Sequence, residues 1–153
     1  MKFKFNLEKV LKHRKIQEDL AQRDYQEALA ELHNQERKLE KILNSIVESR
    51  ELISWLEVQV APDRFDRVNQ AHQFIYLQGL RADRQKEKIK EVEKLVESKQ
   101  ELLRQKAMDK KIIERLKDKK RKAFEVEQNK VQQKELDEIV SMRTRFVKEV
   151  EEK

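Results

Sequence analysis

With one glycine, one proline and no cysteine in 153 residues, the chain has few places to turn and no covalent staple. A single glycine cannot build a phosphate-binding loop or a dinucleotide fingerprint, both of which need several. Without cysteine there is no disulfide and no thiolate, in keeping with a reducing compartment. Aromatics make up only 6% of the residues, too few for a broad globular core. No stretch approaches the roughly 18 consecutive apolar residues of a membrane span. The opening Met1-Lys2-Phe3-Lys4-Phe5 also lacks the apolar block of a secretion signal, so the expected location is the cytoplasm without membrane insertion. His13, His33 and His72 share no helical face at i, i+4, which argues against a metal site. The numerous carboxylates are expected on solvated faces with no pocket to raise a pKa, which argues against acid/base catalysis. No cofactor or catalytic residue is expected.

What the chain has in abundance is charge, 43% of its residues, alongside 37% hydrophobic residues, a coiled-coil composition. Steps of four and three residues trace Ala21, Tyr25, Ala28, Leu32, Gln35, Leu39, Ile42, Ile46, Ser49, Ile53, Leu56 and Val60. A seam averaging 3.5 residues is what two supercoiled helices need to stay in register. One such helix cannot bury its own stripe.

Ala61-Pro62-Asp63 supplies the break, because proline cannot donate an interior helical hydrogen bond and biases its predecessor away from helix. Asp63 can cap a second helix, whose seam runs Val68, Ala71, Ile75, Gln78, Ala82, Gln85, Ile89, Val92, Val96, Lys99 and Leu103. The expected fold is therefore all-α. It is one coiled-coil domain, an antiparallel hairpin with helix 1 at about 6–60, a turn at about 61–63 and a longer helix 2 at about 64–150. Facing residues should have numbers summing to about 124, which sets Leu56 against Val68 and Ile46 against Gln78. Asn6 is the expected first cap, and Phe3, Phe5 and Leu7 read as helical rather than as a short strand. Phe3 should lie opposite roughly Arg121, leaving everything after Lys122 unpartnered: about 45 Å of helix that still carries Leu136, Val140, Val147 and Val150, with Ile139 and Phe146 beside them.

The positive charge is uneven. Residues 1–60 carry 11 basic and 11 acidic side chains, so all of the net +6 lies beyond them. Arg104 to Lys122 holds ten basic residues against three acidic ones. Such a run reads as a solvated helix face or as a surface for an acidic partner. It lacks the interleaved aromatics that single-stranded nucleic acid would stack on, so no nucleic acid is expected. Near the N-terminus, Glu8 with Lys12 and Arg14 with Glu18 are favourable neighbours four apart. Trp55, close to the turn, is expected to pack over the hairpin end.

Phe3-Lys4-Phe5-Asn6-Leu7-Glu8-Lys9-Val10-Leu11, followed by Arg14 and Glu18, resembles the opening of the flagellar FliJ family. Tyr76-Leu77-Gln78-Gly79-Leu80 is similar to an aromatic, aliphatic, x, x, Leu pattern in that family's second helix, and Leu136-Asp137-Glu138 to its late Leu-Asp-Glu. The resemblance implies a non-catalytic, cytoplasmic part of the flagellar type III export apparatus, similar to the central stalk of rotary ATPases. The partners it implies are the hexameric export ATPase FliI, the export gate FlhA and export chaperones. It implies an ATPase contact through Leu7, Leu11, Arg14, Lys117, Lys119, Arg121, Leu136, Val140 and Val147, and a gate contact through Tyr76 and Leu80. A basic coiled coil for nucleic acid and a homodimeric scaffold are the rival readings.

Overall fold

The computed structural model describes residues 2–151, with side chains described as far as residue 145. Two helices account for nearly all of it: α1, Glu8–Val58, and α2, Arg64–Glu151. They form the expected antiparallel hairpin with the longer helix second. The chain separates into two compact units, Glu18–Lys106 and a second made of Met1–Gln17 with Ala107–Lys153.

In the unit Glu18–Lys106 the seam behaves as its spacing predicts. Ala21, Ala28, Gln35, Ile46, Ile53 and Leu56 are buried on α1, as are Ala71, Gln78, Ala82, Ile89 and Val96 on α2. The remaining seam positions are half-buried, except Val60, which lies beyond the end of α1 and is fully exposed. Asp24 pairs with Lys99 at 3.3 Å, close to the expected register. That register places Ala71 opposite Ile53 and Ala82 opposite Ile42, and small side chains facing large ones let the helices approach without voids. Leu56, 1% exposed, is the most deeply buried side chain.

Polar seam residues find partners. Gln85 donates from Nε2 to the Gln35 carbonyl at 2.9 Å and to its Oε1 at 2.7 Å, while Gln35 donates to Glu31. Ser49 donates to the Ser45 carbonyl at 2.8 Å, one turn back in its own helix. Gln78 is different: its Oε1 is buried without a partner.

The turn is built from three local devices. The Gln59 N–H donates to the Leu56 carbonyl and the Arg64 N–H to the Ala61 carbonyl, both at 3.2 Å. The Asp63 carbonyl accepts from the Arg67 N–H, so Asp63 stands at the cap position of α2. No basic residue occupies the last turn of α1. The Arg64 guanidinium instead donates to the Glu57 and Gln59 carbonyls, satisfying groups a helix end leaves free.

In the other unit, the start of the chain departs from expectation. Residues 2–5 are not helical, and the Leu7 carbonyl accepts the first helical bond from Leu11 N–H at 2.9 Å. Helix thus begins at Glu8 rather than Asn6. The reason is tertiary: Phe5 is 6% exposed and Phe3 stacks obliquely on Phe124, with centroids 5.7 Å apart. Continued helix would carry these two rings onto different faces, whereas an extended segment sets both against α2. Phe124 therefore has a partner in the hairpin, and the unpartnered tail starts later than Lys122.

Candidate functional site

No helix among the described residues is long and apolar enough to cross a membrane. Among them, no cluster of three or more His, Cys, Asp or Glu could hold a metal ion. The carboxylates with displaced pKa values move away from general-acid behaviour. Glu31 is lowered chiefly by its hydrogen bond from Gln35, Glu87 by that from Lys90 and Glu101 by that from Arg104. Each is held more firmly as an anion, so none is a poised proton donor.

The residues expected at an ATPase contact divide into two groups. Leu7, Leu11, Arg14 and Lys117 are half-buried and already engaged within their unit. Arg14 pairs with Asp109 at 3.2 Å, and Lys117 pairs with Glu8 at 2.8 Å. Lys117 and Lys120 also stand 6.0 and 5.9 Å from the Phe5 ring centroid, within cation–π range. Glu8 is thus drawn to Lys117 rather than to Lys12, its neighbour four residues on. The second group faces solvent: Lys119 is exposed, Arg121 is exposed beside Glu125 at 3.7 Å, and Leu136 and Val140 are each 62% exposed. Ile139 and Met142 are similarly bare. The side chains of Val147, Val150 and Phe146 lie outside the described residues.

In the unit Glu18–Lys106 the two residues expected at a gate contact are both exposed, Tyr76 at 68% and Leu80 less so. Tyr76 lines a shallow hollow of about 410 Å³ with His72, Gln73 and Leu77. Trp55 does not pack over the hairpin end as expected. It is 55% exposed, because the seam directs Ile53 and Leu56 inward and leaves the position between them outside. Phe65 is barer still.

Sequence reasoning missed three features. The anchoring role of Phe5 was hidden because a Phe-x-Phe run has no helical period to place it. The Arg14–Asp109 pair and the Gln35–Gln85 pair join residues far apart in the chain, so no local spacing marks them.

The described residues thus define an all-α protein of the two-helix coiled-coil class, with engaged charges, bare aliphatic side chains on the tail of α2 and bare aromatics beside the turn. The family model described as Flagellar FliJ protein matches residues 3–148, and the chain belongs to the FliJ family. It is accordingly a component of the flagellar export apparatus. Neither curated proteins nor solved structures gave a match.

Proposed function

We propose that the protein is the non-catalytic stalk and adaptor of the flagellar type III export apparatus, linking the export ATPase FliI to the export gate FlhA at the cytoplasmic face of the inner membrane. The observation that carries this reading is the tail of α2. Past Gln128, the last half-buried residue, every described side chain is exposed, including Leu136, Ile139 and Val140. Aliphatic groups left in line on a helix mark a surface awaiting a partner, and a ring of ATPase subunits around the tail would supply one. Lys119 and Arg121 would meet acidic groups at the rim of that ring, while Leu7, Leu11, Arg14 and Lys117 would act indirectly by holding the base of the tail rigid. Tyr76 and Leu80, bare beside the turn, are the gate contact in this reading, and export chaperones are further ligands.

The test is truncation. Because Phe124 packs on Phe3, the cut belongs after Gln128 rather than after Lys122. The truncated protein should keep its helical melting almost unchanged and lose all stimulation of ATP hydrolysis by FliI. Stimulation equal to that of the full chain would overturn the stalk reading.

A further inference from the structure

Between Lys110 and Val126 the inner side of α2 is marked by half-buried Ile113, Lys117 and Phe124. On the opposite side Lys111, Arg115, Lys119 and Lys122 recur at i, i+4, i+8 and i+11, one face of a helix. All four are exposed, and among the described residues none makes an ion pair or a hydrogen bond to an anion. This distinguishes them from Lys117 and Arg121, which are matched by Glu8 and Glu125. Two aliphatic side chains stand on the same face, Ile112, 61% exposed, and Val126. Three exposed acidic residues, Glu114, Asp118 and Glu125, border the line on one side, and among the described residues none of them pairs with any of the four cations. The four cations span about 16 Å of straight helix.

We propose that this outer face of α2 docks on anionic phospholipid membrane surfaces. A flat charged sheet can meet a straight row of cations all at once, and aliphatic side chains among them can enter the headgroup layer, the combination that holds a basic helix face at a membrane. Stacking on nucleic acid bases would need aromatic rings on this face, and it has none. The helix stays packed on its inner side throughout, so the attachment is peripheral. It does not depend on the tail, and of the four cations only Lys119 is also used in the stalk reading, so the two contacts compete at that one side chain.

Co-sedimentation of the full-length protein with lipid vesicles tests the proposal. The protein should bind vesicles containing phosphatidylglycerol, fail to bind pure phosphatidylcholine, and release as salt is raised. The triple variant Lys111→Gln, Arg115→Gln, Lys122→Gln should bind about a hundredfold more weakly, roughly fivefold for each cation near the charged surface, with unchanged helical circular dichroism. The charge-keeping triple Lys111→Arg, Arg115→Lys, Lys122→Arg should bind as the parent does. Removing the same number of charges elsewhere, with Arg84→Gln, Lys88→Gln and Lys94→Gln, should have a far smaller effect. An equal loss in that control would overturn the proposal, as would equal binding to both kinds of vesicle. Tighter retention on duplex DNA than on anionic vesicles, lost in the first triple variant, would overturn it in favour of nucleic acid.

Discussion

In the unit Glu18–Lys106 the buried positions are held by Ala28, Ile46, Ile53, Leu56, Ala82, Ile89 and Val96, whereas in the unit Met1–Gln17 with Ala107–Lys153 the half-buried positions include Arg14, Asp109, Lys110 and Lys117. Both use one helix geometry with different chemistry. A buried aliphatic side chain stabilises by roughly 1.5 to 3 kcal/mol, while an ion pair with solvent access contributes below about 1 kcal/mol. The first unit is therefore expected to be the more stable part and the second to open more readily, with Phe5 the one buried side chain among its described residues. A weaker seam is compatible with the partner contacts proposed for this region, since charged groups there exchange one contact for another at little cost.

The contrast can be broken most sharply at Leu56. Leu56→Asp would bury an unpaired charge and should destabilise by on the order of 5 kcal/mol, measured by urea denaturation. Phe5→Ala should cost about 3 kcal/mol, but locally: hydrogen exchange should accelerate around Glu8 and Phe124 while amides near Leu56 keep their protection. Uniform acceleration would mean that the two units are not separately stabilised. Gln78→Leu removes a buried acceptor that has no donor, and should stabilise by about 1 kcal/mol. Gly79→Ala should add a similar amount, about 1 kcal/mol, since a methyl group there meets nothing within 4 Å. The smallest effect expected is in Glu8→Ala with Lys117→Ala, where a double-mutant cycle should give a coupling below about 1 kcal/mol that fades with added salt. A coupling of several kcal/mol would place real stability in the charged seam.

The hairpin was legible because its signals are periodic and local. Two seams read separately share one register, and Pro62 is the only strong break, so the ends at Val58 and Arg64 fall where chain chemistry puts them. The exposed tail followed from unequal helix lengths. Two readings misled: the Phe3–Leu7 segment, taken for helix, and Trp55, taken for packing. For the first the deciding contacts, to Lys117, Lys120 and Phe124, lie on α2; for the second the seam positions Ile53 and Leu56 already leave it outside.

From the sequence alone came the helices, the turn, the antiparallel pairing and the resemblance to FliJ, since spacing, proline and family motifs are properties of the chain itself. Only the tertiary structure decided that Phe5 and Phe3 lie on α2, that Glu8 takes Lys117 and Arg14 takes Asp109, and which cations stay unmatched. The physical reason is that charge and ring contacts depend on distance in space. A helix brings side chains three and four apart together, but only the folded hairpin sets residues some hundred positions apart within 3 Å.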